Sequence, residues 1–427
     1  MPLQIICLSC DDGSAKKATE TLNYDLIIVG GGPAGAVTAL YAARRGLRIL
    51  LLDKSRFPRD KICGDAISSK AIFILRDLQL EDAILNLPGV RFRKILFGSA
   101  KHTEVEIDLK RARKRDLVFG CVIRRRVLDE FLFNRAQAAV TTCVEGCTVD
   151  DLIWENDKVC GVVGHDNASE LRREFRACIV VGADGYRSTV ARKVGSYAID
   201  PAHWLVAIRR YYRNVARLSD GIELHYVSTV TPGYFWIFPL DDGFANVGIG
   251  MLLSTMKKKH VNLTEALDVT IRDPFFAPRF ADATPAEKPV GWHLPVGSMH
   301  RSCCGPGYLL VGDAAGLIDP FTGEGIANAM YSGRVAAEAA AAALEMGDVG
   351  VENLWRFDHD LWDKIGHELK VSAKLQKIAG LQWLLNFTIR RAAHSEEVRD
   401  TLRAMIGQEV SREQMTSPLF YLKLLAK

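Results

Sequence analysis

The sequence predicts an α/β fold: a parallel sheet built from distant parts of the chain, an inserted and mainly antiparallel sheet, and a helical C-terminal region. Three observations carry this. Asp25-Leu-Ile-Ile-Val29 is a continuous apolar run of strand length that enters Gly30-Gly31-Gly32-Pro33-Ala34-Gly35 and then a helical pattern. Two later apolar runs, 177–181 and 308–311, also end in glycine and aspartate, as buried parallel strands do at a ligand-binding edge. Between them, residues 204–212, 222–227, 234–238 and 245–251 alternate or are aromatic-rich, which predicts an antiparallel sheet. The domain order is then an N-terminal extension (1–23), the first sheet in two parts (24–200 and 301–345), an inserted sheet domain (201–300) and a helical region (346–427).

Bulk properties exclude several classes. The 427 residues are 48% hydrophobic and 25% charged with a net charge of +4, an ordinary globular balance that gives no whole-molecule attraction to nucleic acid. Basic runs at 110–115, 124–126 and 257–259 read as solvated faces, with contact to an anionic membrane surface as the alternative. No apolar run reaches the roughly 18 residues that span a bilayer. The short patch Ile5-Ile6-Cys7-Leu8 lacks a preceding basic segment and is followed by Asp11 and Asp12, which argues against a secretory signal. Ten scattered cysteines fit a reducing cytoplasm. Cys7 and Cys10 have no partner pair at zinc spacing, so no metal site is expected.

The first ninety residues define a Rossmann-like unit. Gly30 permits the sharp turn, Gly32 lets backbone approach a pyrophosphate, and Gly35 lets helix and strand pack closely. The helix that begins at Pro33 and Ala34 presents its N–H groups and positive dipole end to the phosphates. A second strand, 47–52, stops at Asp53, beside Lys54, where a carboxylate accepts hydrogen bonds from an adenosine ribose and repels a 2′-phosphate. The nucleotide is therefore FAD or NAD.

The two later strand ends separate these. Gly182-Ala183-Asp184-Gly185 and Gly312-Asp313-Ala314-Ala315-Gly316, together with Ile123-Arg124-Arg125-Arg126-Val127-Leu128-Asp129, resemble the FAD-dependent aromatic-hydroxylase superfamily over most of residues 24–345. The resemblance implies that Gly312 and Asp313 hold the ribityl chain of FAD, that Asp184 and Gly185 support the nucleotide region, and that Arg125 contacts the cofactor. It also implies that Gly323, Glu324, Gly325 and Ile326, a glycine-rich turn entering an alanine-rich helix, face the N1–C2=O edge of the flavin.

Two further motifs sharpen the family. Cys63-Gly64-Asp65-Ala66-Ile67-Ser68 and Pro232-Gly233-Tyr234-Phe235-Trp236-Ile237-Phe238-Pro239, the latter followed by Asn246-Val247-Gly248-Ile249-Gly250, resemble segments of geranylgeranyl reductases. That resemblance implies hydride transfer from reduced FAD to C=C bonds of a polyprenyl chain. Tyr234, Trp236 and Phe238 would shape an apolar tunnel, Cys63 would stand at the flavin face as proton donor or positioning group, and Asp65 would fix the loop. With one dinucleotide unit in the sequence, the electron donor, NAD(P)H or a reduced redox protein, would bind transiently. A monooxygenase or halogenase of the same superfamily, and a non-catalytic electron-relay flavoprotein, remain the alternatives. In the tail, Leu354, Phe357, Leu361, Ile365 and Leu369 recur at helical spacing. The apolar segment 381–387 with Arg390 and Arg391 packs over the inserted domain, or lies on a membrane that holds the isoprenoid substrate.

Overall fold

The computed structural model describes residues 24–109, 120–406 and 412–417. The extension 1–23, with Cys7 and Cys10, and the basic run 110–115 lie outside the described residues.

The first sheet has the order Cys304–Gly305, Tyr308–Leu310, Arg172–Gly182, Tyr24–Val29, Ile49–Asp53, Thr142–Glu145. Its central strands are parallel: Ile27 pairs with Val180 on one side and Leu50 on the other. Leu26, Ile27 and Ile28 have no exposed surface, as central parallel strands covered on both faces require. Each such side chain contributes roughly 1.5–3 kcal/mol by burial. Helix Pro33–Arg44 crosses Ile326–Glu345 closely; a Cβ added to Gly333 would lie 2.5 Å from the Ala34 carbonyl oxygen. The alanine-rich sequence of the second helix allows this approach. The strands Cys147–Glu155 and Lys158–Asp166 form an antiparallel extension on Arg172–Gly182.

The second sheet runs Thr284–Pro285, Trp204–Arg213, Phe244–Leu252, Gly233–Pro239, Gly221–His225, Lys94–Gly98, Glu104–Asp108, with Val290–Pro295 also paired to Trp204–Arg213. The four strand patterns read between 201 and 300 all appear in it. At the other edge it also takes Lys94–Gly98 and Glu104–Asp108, two strands from the segment 24–200. Gly221–His225 pairs with Lys94–Gly98 in parallel, Ile222 against Ile95 and Leu224 against Phe97. Without that addition the apolar side of Gly221–His225 would form a bare edge.

At the C-terminal end, Val351–Ala379 packs on Ile326–Glu345, with Leu354, Phe357, Leu361, Ile365 and Leu369 buried as their spacing predicts. Gln382–His394 and Glu396–Ile406 lie against Glu104–Asp108. Among the described residues, no helix is long and apolar enough to cross a membrane.

Candidate active site

At the N-terminal turn, Gly30 has φ +104°, and an added Cβ would lie 2.4 Å from the Ala183 carbonyl oxygen. A Cβ on Gly35 would lie 1.8 Å from the carbonyl oxygen of Gly30, so helix and strand close only with glycine here. Gly32 differs: its added Cβ would face open space, with a guanidinium nitrogen of Arg59 nearest at 3.4 Å. The helix starting at Pro33 has no side-chain cap, which leaves its first N–H groups available to a phosphate. Asp53 accepts from the N–H of Gly31 and of Ser55, each at 2.7 Å, and so fixes the turn that it faces. Lys54 is exposed beside it.

Of the three consecutive arginines, Arg125 is the buried one. Its Nε and Nη2 each donate to Asp129 at 2.7 Å, while Arg124 pairs with Asp241 at 3.3 Å. Asp129 also holds Arg59 at 2.7 Å, which aims that guanidinium at the Gly32 opening. Asp184 caps the short helix Thr189–Lys193 through the Thr189 N–H at 2.6 Å and Ser188 Oγ at 2.5 Å, next to Gly185. Burial raises its carboxyl above the usual range. Gly312 packs between Ala34 and Ala329, and Asp313 pairs with Lys61 at 3.0 Å.

One cavity of about 370 Å³ lies between the two sheets. Pro33, Cys63, Gly64, Arg125, Asp313 and residues 323–326 form its wall on the first-sheet side. Tyr234, Trp236 and Phe238 face them from the second sheet. The Tyr234 hydroxyl donates to the Thr322 carbonyl, and Ser68 Oγ donates to Glu324, so the turn that precedes Ile326–Glu345 is tied to both sides. Farther out the wall becomes hydrocarbon: Ile95, Phe97, Leu385, Ile389, Leu402 and Met405.

The loop carrying Cys63 is held by Asp65. This residue is wholly buried at φ +66° and accepts from Tyr211 Oη at 2.8 Å, Asn246 Nδ2 at 2.7 Å and the Arg125 N–H at 3.2 Å. Burial pushes its carboxyl up to about 6 despite those bonds. Asn246 also donates to the Cys63 carbonyl at 2.7 Å and accepts from Trp236 Nε1 at 2.9 Å. Cys63 is half-buried with its side of the loop in the cavity wall.

The cavity thus brings together Pro33, Cys63, Gly64, Arg125, Asp313, Gly323, Glu324, Gly325, Ile326 and the aromatic trio, whereas Gly30, Gly32, Gly35, Asp53, Lys54, Asp184, Gly185 and Gly312 lie outside its lining. Sequence reading missed Arg59, Lys61 and Tyr211 and gave Asn246, though part of a motif, no role of its own, because their partners lie far off in the chain. The open cradle at Gly32, the uncapped helix starts at Pro33 and Ile326, and the Asp313 carboxylate between them fit an FAD laid across the sheet edge. Among the described residues, no group of three His, Cys, Asp or Glu side chains suits a metal ion.

The comparisons agree with this geometry. The family model described as "FAD binding domain" matches residues 23–349. Digeranylgeranylglycerophospholipid reductase of Methanocella arvoryzae is 31% identical over 396 residues, covering 91% of this chain and 96% of the relative. The enzyme of the same name from Methanosarcina mazei is 32% identical over 355 residues, 82% of this chain and 83% of its own. A solved geranylgeranyl bacteriochlorophyll reductase-like protein from Thermoplasma acidophilum aligns with a TM-score of 0.73 at 26% identity, over 95% of this chain and 96% of that one. A flavin-dependent brominase, at 21% identity and TM-score 0.71 over 90% and 93%, shares the fold. Fold and cavity define a FAD-dependent oxidoreductase. Within that class, the chain belongs to the geranylgeranyl reductase family, whose members reduce C=C bonds.

Proposed function

We propose that this protein saturates isolated double bonds in a prenyl chain, the substrate class named for its relatives. The observation that carries the reading is the cavity itself. Its wall runs without a break from the turn at 323–326 to the hydrocarbon side chains of the C-terminal helices. The N-terminal glycines with Pro33 and Ala34 would hold the FAD pyrophosphate, Asp53 and Lys54 the adenosine end, and Arg59 and Arg125 the phosphate side. Asp184 and Gly185 would brace the nucleotide strand ends, Gly312 and Asp313 would take the ribityl chain, and residues 323–326 the pyrimidine edge. When bound and reduced, FAD supplies the hydride.

The remaining work falls to the chain. An unactivated alkene accepts hydride poorly, so it must be positioned closely and kept dry. Tyr234, Trp236 and Phe238 form the aromatic floor against which one isoprene unit lies. The Cys63 thiol holds the proton for the second alkene carbon, and Asp65, through Asn246 and Tyr211, keeps that thiol's loop in place.

The same reading includes a cytoplasmic protein in peripheral contact with a membrane, and one exposed patch supports the contact. Leu381 and Trp383 are 48% and 67% exposed, beside the exposed Lys377 and Arg390 and next to Leu385 in the cavity wall. An apolar pair among cations suits an anionic lipid interface. Trp383→Ser is expected to reduce flotation with phosphatidylglycerol vesicles severalfold.

The test of function is anaerobic reduction of the flavin-loaded protein followed by a prenyl acceptor. Reoxidation with a mass gain of two hydrogens per double bond supports the reading. Product bearing oxygen or halide, or reoxidation by a redox protein alone, overturns it.

A further inference from the structure

Strand Gly221–His225 turns successive side chains to opposite faces. Glu223 and His225 bond each other on one face, where Arg279 also holds Glu223. Ile222, Leu224 and, one residue past the strand, Tyr226 line the cavity. The Tyr226 N–H donates to the Gly98 carbonyl at 2.8 Å, which fixes its backbone beside strand Lys94–Gly98. Its ring meets that of Tyr234 edge-on at 6.2 Å between centroids and lies nearly parallel to Phe321 at 6.3 Å. Tyr226 thus stands where the aromatic floor meets the turn before Ile326–Glu345.

Tyr226 is 7% exposed. Among the described residues nothing bonds its hydroxyl, yet the oxygen is not sealed off and keeps surface toward the cavity. Other hydroxyls on the same wall are spent inside the protein: Tyr234 on the Thr322 carbonyl, Ser68 on Glu324 and Thr388 on the Leu384 carbonyl. A phenylalanine would fill the aromatic corner equally well, so the hydroxyl has a use only if something bonds it. Water in the cavity can do so. A prenyl chain drives that water out, and must then bring an acceptor of its own.

Charge narrows the acceptor. The three cations among the lining residues are already paired, Lys61 with Asp313, Arg125 with Asp129, and Arg209 with Asp60 and Glu287. Burial raises the Tyr226 phenol above its usual range, so it stays a donor. A diphosphate would meet no spare cation among these lining residues. An ether oxygen accepts a hydrogen bond and brings no charge.

We infer that, on the prenyl reading above, the Tyr226 hydroxyl binds an uncharged, ether-type oxygen at the head of the prenyl chain and so sets which double bond reaches the flavin. Isoprene units repeat, and a hydrocarbon wall grips each of them alike, so the chain slides by one unit at little cost. A single fixed hydrogen bond breaks that equivalence. With the oxygen held beside Tyr234, each double bond lies at a set distance from the aromatic floor.

The test compares two probes on one protein: geranylgeranyl methyl ether, and the same chain with hydrogen in place of the methoxy group. Flavin-loaded wild type and Tyr226→Phe are reduced with dithionite, and anaerobic reoxidation is followed against each probe in detergent micelles. The ether is expected to half-saturate the wild type at a concentration roughly three- to tenfold below that of the hydrocarbon, and Tyr226→Phe to erase this preference. A ratio between two probes does not depend on how much of the variant carries flavin. In the first turnover, fragmentation mass spectrometry should find one dominant dihydro-ether from the wild type and a mixture of positional isomers from the variant, a change that a purely structural loss does not produce. The proposal is overturned if the wild type does not favour the ether, if the variant keeps the preference, or if the variant yields the same single isomer. Reduction of neither probe by the wild type overturns the prenyl reading itself, and the proposal with it.

Discussion

Asp65 offers a quantitative test of how the two sheets are held around the cavity. It is fully buried, and three donors from three separate elements converge on it: Tyr211, Asn246 and the Arg125 N–H. Burial raises its carboxyl from 3.8 to about 6. Between those two values the native protein holds a proton that the unfolded chain has released. Stability therefore falls as pH rises through this window, by about 1.4 kcal/mol per unit and about 3 kcal/mol in total. The penalty is absent below pH 3.8 and complete above pH 6. Asp65→Asn removes the titration but turns an amide N–H₂ toward a donor, at a cost of about 1–3 kcal/mol. The two effects nearly offset at neutral pH. Urea unfolding of flavin-loaded wild type and Asp65→Asn, run from pH 4 to 7.5, should show the variant the less stable in acid and close to wild type at pH 7.5. The difference should move by about 3 kcal/mol toward the variant. A difference that stays flat across the window would refute the assignment of a buried, proton-holding carboxyl. Asp65→Ala, which strands all three donors, should be far worse than Asn at every pH.

Three further outcomes are expected. Gly35→Ala drives a methyl into the Gly30 carbonyl; it should lose bound flavin on gel filtration and destabilise the protein by about 1–3 kcal/mol or more. Arg279→Met strips both guanidinium bonds from Glu223, which is 2% exposed, and should cost about 3–5 kcal/mol in urea unfolding with the flavin spectrum unchanged before the transition. Burial raises the Glu223 carboxyl, but bonds from Arg279 and His225 pull it below the usual range, so this stability is lost as the solution is acidified. Cys63→Ala should retain flavin yet lower the prenyl-reduction rate on the order of 10²-fold, measured in single turnover; an unchanged rate would remove the thiol from the proton path.

What the sequence disclosed and what it hid follow from range. A turn such as Gly30–Gly35 is written in consecutive residues because its chemistry lies in backbone shape, and the tail helix is written in the spacing of Leu354, Phe357 and Leu361 because periodicity reports a buried face. Lys61 and Asp313 are 252 residues apart, Asn246 and Asp65 are 181 apart, and neither pair has a local period to betray it. Lys94–Gly98 escaped for a related reason: its sheet partner Gly221–His225 lies far along the chain, so nothing near it in the sequence assigns it to the second sheet. One faint signal was present. Asn246 interrupts the apolar run 245–251, and a polar residue on a strand that otherwise packs inward must have a buried partner. That partner turned out to be the loop of Cys63 and Asp65. Tyr211 and Asn246, both hard to read, are the ones that join the first-sheet part to the roof over its cavity. Local patterns build each half of this protein, and the cavity between them is held by polar contacts that cross from one half to the other.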